Sequence, residues 1–334
     1  MNDRAYDDVI AALNGSSDPL LVVCHISPDG DAIGAAVSVA LYCERIGRRA
    51  ILVNDDPILP RYWYLPKADQ FLRTSQITEQ FHTVVAVDCA DERRMGQTIS
   101  LAAPDRLLIN IDHHDTNRGF GDMNLVDPKA AATCLVLYRL FQRANAEFDE
   151  AMALAIYSGI VFDTGGFRYE NTTPEIHRAA GFLLERGVQP FYVADRLLEA
   201  ITPSQAQLVK LGLESLAVTP DGRVAYVAIS REMFHMSGAD DEDTDVLLPY
   251  TRSLVGVEVG IVFRERSDGT VKVSLRSRER VDVAVVAVHF SGGGHIRAAG
   301  CTVDGPLSQA VKRVVEAVVS EVHDAFGESA RDDS

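Results

Sequence analysis

Leu20-Leu21-Val22-Val23-Cys24-His25-Ile26-Ser27-Pro28-Asp29-Gly30-Asp31-Ala32-Ile33-Gly34 passes from an unbroken apolar run through a polar turn into small, helix-compatible residues. Residues 20–26 read as a buried strand, and residues 31–46 read as a helix dominated by small and apolar side chains. Further β-branched runs follow at 50–54, 83–87 and 107–111. Continuous apolar runs of this kind are typical of parallel strands covered on both faces. Their alternation with helical patterns predicts a doubly wound α/β sheet. More helix is expected at 131–144, 150–162, 174–184 and 190–216. Beyond that point the pattern changes. Residues 223–229, 257–264 and 271–276 alternate and are punctuated by turn signals such as Ser267-Asp268-Gly269, which predicts antiparallel hairpins. Residues 281–290 and 307–326 look helical. The expected plan is a catalytic α/β domain at 1–190, a helical linker at 191–217, a smaller α+β domain at 218–326 and a frayed polar tail at 327–334.

At 334 residues the chain suits about two domains. Its 47% hydrophobic and 24% charged residues exclude a disordered, collagen-like or coiled-coil chain. No apolar run reaches the roughly 18 residues of a membrane helix. The N-terminus is acidic where a secretory signal is basic, so the cytoplasm is the expected compartment, with no membrane partner. The net charge of −16 argues against long nucleic acid, so a nucleic-acid ligand would have to be short, or held by metal or a local basic patch. Cys24, Cys43, Cys89, Cys134 and Cys301 are odd in number and have no CxxC spacing, as expected of reduced thiols. Asn171-Thr172-Thr173 matches a glycosylation sequon and reads as chance.

Three clusters follow predicted parallel strands: His25 to Gly34, Asp88, and Asp112-His113-His114. A fourth, Asp163-Thr164-Gly165-Gly166-Phe167, ends an apolar helix. In open α/β sheets the C-terminal strand edge is where ligands bind. Separate strands would thus deliver His25, Asp29, Asp31, Asp88, Asp112, His113 and His114 to one crevice. Crowded carboxylates cannot all ionise cheaply without a cation. Two divalent metals resolve this, with Asp88 the natural bridge. Carboxylates mixed with imidazole and lacking thiolate suit Mn²⁺ first, then Mg²⁺, Co²⁺ or Zn²⁺. An Asp after a strand is by itself often only a helix cap. Two carboxylates and an imidazole in one turn, followed by Asp-His-His on another strand, exceed what capping needs. His82, His177, His235, His289 and His323 are isolated and read as structural.

In the second half, Gly292-Gly293-Gly294-His295 reads either as a flexible turn or as backbone able to cradle an anion, with His295 donating to phosphate. Arg264, Arg266, Arg276 and Arg278 on the neighbouring hairpin read either as a solvated strand face or as a phosphate or base clamp.

Together these motifs resemble those of the DHH phosphoesterases. His25-x-x-Pro28-Asp29-x-Asp31-Ala32-x-Gly34, Asp88, Asp112-His113-His114 and Asp163-Thr164-Gly165-x-Phe167 occur in the family's order. Gly292-Gly293-Gly294-His295-x-x-Ala298-Ala299-Gly300 resembles the signature of the DHH-associated C-terminal domain, and the resemblance spans nearly the whole chain. Length and arrangement are most similar to the subgroup of bifunctional oligoribonucleases that also dephosphorylate 3′-phosphoadenosine 5′-phosphate (pAp). Some bacterial members of that subgroup cleave cyclic di-AMP or its linear product pApA. One departure is Ser27, where the subgroup often has Asn.

The resemblance implies an active-site cleft between the two domains and two divalent cations. His25, Asp29 and Asp88 would hold one cation. Asp31, Asp88, His113 and Asp163 would hold the other. His114 would contact the scissile phosphate, and Asp112 would orient the imidazoles. Gly292, Gly293, Gly294 and His295 would bind substrate from the second domain. The expected substrates are short oligoribonucleotides and adenine nucleotides, namely pApA, pAp and cyclic di-AMP, with a homodimer as the family-level expectation. Three rivals are an inorganic pyrophosphatase, a RecJ-type exonuclease and a catalytically silent receptor for cyclic di-AMP. The first lacks the Gly292 to His295 signature, the second is longer, and the third conflicts with a full ligand set.

Overall fold

The computed structural model describes residues 3–15 and 18–327. The chain divides into two compact units, with the division between Ala200 and Ile201. The expected tail at 327–334 lies outside the described residues except for Gly327, the last residue of a helix.

The first unit is built on five strands, β1 (Leu20–Cys24), β2 (Ala50–Val53), β3 (Phe81–Val87), β4 (Ala102–Asp112) and β5 (Met123–Val126). They form one sheet in the order β2-β1-β3-β4-β5, and every pairing is parallel. Alternate residues of each central strand enter separate cores. Val22, Cys24, Val85, Val87, Ile109 and Ile111 pack beneath the helices. Leu21, Val23, Val84, Ala86 and Leu108 pack on the other face, with Met95 and Leu101. Burial on both faces is why these strands read as continuous apolar runs. The helices are α1 (Asp3–Asn14), α2 (Gly30–Arg45), α3 (Thr133–Arg143), α4 (Glu150–Asp163), α5 (Pro174–Leu184) and α6 (Pro190–Ala194). Their buried apolar side chains join the first of the two cores. The other face is covered by the 3-10 segment Glu92–Leu101, which is kinked at Gly96 (φ 63°). β5 carries no sequence signal: Met-Asn-Leu-Val is too short and mixed to stand out.

Helices α2 and α4 cross at glycines. A Cβ on Gly34 would lie 2.5 Å from the Ala155 carbonyl oxygen, and one on Gly30 would lie 2.8 Å from the Phe162 ring. The missing side chains let the two backbones approach closely, which places the start of α2 beside the end of α4.

The helix expected over 190–216 is broken. α6 passes into a π-turn (Asp195–Glu199), and α7 (Pro203–Glu214) starts afresh. Thr202 is extended (ψ 159°), as a residue before proline should be, and it caps α7 reciprocally with Gln205. The expected linker is thereby divided. Val193 and Leu197 belong to the first unit's core, whereas Leu208 packs on Val227, Ile229 and Leu247 of the second unit.

The second unit holds β6 (Ala217–Val218), β7 (Val224–Ile229), β8 (Val259–Glu265), β9 (Thr270–Ser277), β10 (Gly293–His295) and β11 (Ala298–Asp304), in the order β10-β11-β9-β8-β7-β6. The hairpin at Ser267-Asp268-Gly269 joins β8 to β9 antiparallel, with Gly269 at φ 82°. β7 and β8 pair in parallel, against the hairpin expected there. α8 (Arg231–Ser237) and α9 (Leu248–Arg252) lie between them and supply the crossover that parallel pairing requires. α10 (Val283–His289) and α11 (Leu307–Gly327) cover one sheet face through Val271, Val273, Leu275, Ile261 and Phe263. No helix among the described residues is long and apolar enough to cross a membrane.

Gly34→Ala should lower stability by about 1–3 kcal/mol through overpacking at the α2/α4 crossing. Gly181→Ala, at an exposed position of α5 with nothing within 4 Å of its Cβ, should raise stability by roughly 0.5–1 kcal/mol. Urea midpoints of the two variants check both signs.

Candidate metal centre

The register of the first sheet sets Cys24 beside Val87 and Val87 beside Ile111. The residues that follow are His25, Asp88 and Asp112, which therefore emerge together at the C-terminal edge of adjacent strands. β1 lies between β2 and β3, so the strand order reverses there, and the loop from β1 to α2 leaves at the switch point.

Each loop residue is held by its own element. Asp29 caps α2, its Oδ1 accepting from the N–H groups of Asp31 and Ala32 at 3.0 Å each. Its Oδ2 stays 3.6 Å from His25 Nε2. The capping and functional readings of Asp29 are thus both satisfied by one carboxylate. Asp31 is fully buried and accepts from the Thr133 N–H (2.6 Å) and the Cys134 N–H (3.0 Å). It therefore caps α3, whose own N-cap, Ala132, offers no side chain. Asp88 is buried at φ 58°, its N–H donating to the Ile111 carbonyl and its Oδ1 accepting from Thr133 Oγ1 at 2.8 Å. Asp163 ends α4 with Oδ2 3.2 Å from His113 Nε2, and Asn171 holds its carbonyl.

The imidazoles are oriented by their Nδ1 atoms. His25 Nδ1 lies 2.8 Å from the Ile26 carbonyl and 3.0 Å from the Arg94 guanidinium, and His113 Nδ1 lies 3.2 Å from the Ala130 carbonyl. Both rings thereby turn Nε2 toward the carboxylates. Asp88 Oδ2 lies 3.5 Å from His25 Nε2, and Asp88 Oδ1 lies 3.6 Å from His113 Nε2. His114 Nδ1 donates to Asp112 Oδ1 at 2.8 Å. Asp112 is fully buried, and Asn117 donates to its Oδ2 at 2.6 Å.

Burial, then the nearby Asp88, pushes the Asp31 carboxyl up to about 7. Burial, then Asp31 and Asp88, pushes Asp163 well above the usual carboxylate range. For Asp88 burial works upward, but the hydrogen bond from His25 and the charges of His113, His25 and His114 outweigh it and pull the group down to about 2. Burial works downward on His25, yet Asp29 and Asp88 raise it to about 10. His114 is raised, chiefly by its hydrogen bond to Asp112. Upward shifts at both Asp31 and Asp163 reflect the excess of negative charge gathered here. A bound cation would displace protons from both.

The donors group accordingly. His25, Asp29 and Asp88 form one set, Asp31, His113 and Asp163 a second, and Asp88, His113 and His114 a third, each with ligand atoms within 4.8 Å of one another. Carboxylate and imidazole without thiolate fit divalent cations of the Mn²⁺ and Mg²⁺ kind. Every metal ligand expected from the sequence is in this cluster.

The sequence did not signal several supporting residues. Thr133 bonds both Asp31 and Asp88. Asn110 and Asn117 carry the network behind Asp112. At Gly159 any Cβ would collide with Asp31 Oδ1 and Cys134 Sγ. The contacts of Thr133 and Gly159 join residues far apart in sequence, whereas Asn117 lies only five residues from Asp112. Strained backbone does mark the motif loops: Ser27, Asp88, Phe167 and Ser291 all have positive φ. At Ser27 (φ 54°) the left-handed conformation favours Asn over Ser, so the Asn often found here in the subgroup suits the backbone better than this chain's Ser.

In the second unit, β10 pairs with β11, so Gly292 to Gly294 runs into a short strand and is no flexible turn. A Cβ on Gly292 would strike the Gly300 carbonyl, and one on Gly294 would lie 2.5 Å from the Ala298 carbonyl oxygen. A Cβ on Gly293 would meet nothing within 4 Å. Arg276, Ala298 and His295 form one row across three strands, which puts Arg276 and His295 on one face. Exposed Arg278 donates to the Arg252 carbonyl at 3.4 Å. Arg264, expected in a solvent-facing clamp, is buried. Its guanidinium bonds the Asp241 carbonyl and Thr244 Oγ1, fastening the 3-10 segment Asp241–Leu247 to β8.

Residues 19–160 match the DHH family, N-terminal domain, and residues 221–324 match the DHHA1 domain. The bifunctional oligoribonuclease and PAP phosphatase NrnA of Thermus thermophilus is 35% identical over 96% of this chain and 94% of its own. The protein of that name from Bacillus subtilis is 25% identical over 86% of this chain and 90% of its own. The cyclic-di-AMP phosphodiesterase GdpP of Geobacillus thermodenitrificans is 28% identical over 97% of this chain, which spans 50% of that protein. An exopolyphosphatase-related protein from Bacteroides fragilis shares the fold, with a TM-score of 0.89 at 22% identity over 96% of this chain and 98% of that one. With its strand-edge cluster of Asp and His and these two domains in succession, the chain belongs to the DHH family.

Proposed function

We propose that this chain is a metal-dependent phosphoesterase that hydrolyses short oligoribonucleotides, pApA among them, to mononucleotides and takes the 3′-phosphate from pAp to leave AMP. The observation that carries the reading is Asp88. Its Oδ2 faces His25 and its Oδ1 faces His113, as suits one carboxylate shared by two cations. The names of the full-length relatives support the substrate class. The names of two longer relatives add cyclic di-AMP as a further substrate to test.

In this reading His25, Asp29 and Asp88 hold one cation, and Asp31, Asp88, His113 and Asp163 hold the other, with Mn²⁺ preferred over Mg²⁺ or Co²⁺. Bound there, such cations supply Lewis-acid charge and lower the pKa of a water. The chain's own groups do the rest. Asp112 holds the Nδ1 proton of His114, which leaves Nε2 to donate to a phosphoryl oxygen as negative charge builds on it. The raised pKa of His114 favours the cationic, donating form. His295 and Arg276 hold a phosphate or base of the substrate, with Gly293 leaving open space for its approach.

The decisive assay compares pApA, a five-nucleotide RNA, pAp, cyclic di-AMP and pyrophosphate with Mn²⁺ under one set of conditions. Release of AMP from pApA and pAp with little pyrophosphate cleavage is expected, and preference for pyrophosphate would overturn the substrate assignment. Asp88→Asn should lower all nucleotide activities by more than about 100-fold, the upper range for changes one shell further from a metal. Its circular dichroism should stay unchanged.

Metal affinity should depend on pH. The metal-free site holds protons on Asp31 below about 7, on Asp163 and on His25. A cation must displace them, so apparent Mn²⁺ affinity should fall as pH falls, about tenfold per pH unit for each proton released. Calorimetry in buffers of different ionisation enthalpy counts those protons, and a pH-independent affinity would refute the ligand set. Gly293→Val should fold normally and yet raise KM for pApA, whereas unchanged kinetics would remove this loop from the substrate site.

A further inference from the structure

The sheet face that carries Arg276 and His295 continues to another row. Lys272 on β9 stands opposite Arg264 on β8 and Thr302 on β11. Val271, Val273 and Leu275 point the other way, into the core under α10 and α11, so Lys272, Ser274 and Arg276 share the opposite face. On that face β7 and β8 are covered, with Val227 and Val262 packed under Leu208, Phe234 and Leu247. Lys272 and Thr302 are exposed. Among the described residues Lys272 makes no hydrogen bond or ion pair.

Like charges directly opposite one another destabilise an antiparallel pair, and Lys272 faces Arg264. Partial burial, then Arg264 and Arg266, holds the Lys272 ammonium below its ordinary pKa, and Asp241 and Asp245 only partly offset this. Buried Arg264 holds the segment Asp241–Leu247 to β8, but exposed Lys272 opposite it has no such task in the sheet and, in a chain of net charge −16, suits an anion. Between the two rows lies a row of Ser274, Gly300 and Gly293, a floor with little side-chain bulk. Four residues along β9 separate Lys272 from Arg276, or about 13 Å of strand.

We propose that Lys272, with Thr302, forms a second phosphate subsite, which receives a phosphodiester of an oligoribonucleotide further along the strand than the group held at Arg276 and His295. The proposal rests on the oligonucleotide reading above and adds a length gauge to it. The 3′ and 5′ phosphates of one ribose lie closer together than the two rows. pAp can therefore occupy one row only, whereas an RNA of several nucleotides can reach both.

Two measurements test this on the full chain, with Lys272→Met and Lys272→Arg beside the parent. The first is fluorescence anisotropy of a 5′-labelled five-nucleotide RNA in EDTA, as a function of salt. Lys272→Met should raise Kd about 5- to 10-fold and reduce the log–log salt slope by about 0.7, the share of one phosphate on a single strand. Lys272→Arg should restore both. The second is steady-state kinetics with Mn²⁺, where Lys272→Met should raise KM for the five-nucleotide RNA with kcat unchanged, and leave pAp within about twofold. Unchanged RNA binding in Lys272→Met, or an equal loss for pAp, would overturn the proposal. Displacement of the RNA by inorganic phosphate at constant ionic strength, lost in Lys272→Met, would reassign the subsite to the free anion and overturn the length gauge. If the parent binds the RNA but cleaves neither substrate, the hydrolase reading fails while the anisotropy still decides the subsite.

Discussion

Mutual repulsion among Asp29, Asp31, Asp88 and Asp163 is the constraint on which the first unit depends. These carboxylates converge at one sheet edge with His25 and His113 between them. A low-dielectric site magnifies such repulsion, and the protein meets it with fixed donors. Backbone N–H groups at the start of α2 hold Asp29, those at the start of α3 hold Asp31, and Thr133 holds Asp88. Imidazoles supply part of the remaining charge, and protons on Asp31 and Asp163 supply more. Bound metal would relieve this imbalance.

The same residues serve fold and chemistry. Asp31 caps a helix more than a hundred residues away in sequence, so the candidate ligand also fixes where α3 begins. Its carboxylate reaches that position only because Gly159 has no side chain. The α2/α4 crossing at Gly34 serves the same end by bringing the Asp29-Gly30-Asp31 turn and Asp163 to one place. Substitutions at these glycines act on the site without touching a ligand. Positive φ values at Ser27, Asp88, Phe167 and Ser291 follow the same logic, since strain persists where surrounding structure over-determines the backbone.

In the second unit the arrangement is reversed. Cations, not carboxylates, meet on an open face, and the backbone of Gly292 to Gly294 is pinned by β11. Glu258 accepts the N–H groups of Glu279 and Val281, and Arg297 donates to the carbonyls of that segment, so the turn after His295 is tied from behind. A globally acidic chain thereby carries a locally basic face.

The sequence by itself determined the parallel sheet, the two-domain plan and the cluster of candidate ligands. Each rests on signals local to the chain: β-branched runs buried on both faces, and polar clusters directly after them. Only the tertiary structure decided which residues support those ligands. Thr133, Cys134 and Gly159 reach the site from elements far along the chain, and no spacing rule encodes such contacts. Tertiary structure also overrode local pattern where packing partners lie far apart. β7 pairs parallel to β8 because helices intervene, Pro203 restarts a helix on the second unit, and Arg264 is drawn inward by the carbonyl of Asp241. Periodicity tells how a segment is buried; which segment buries it is set by the closure of the whole chain.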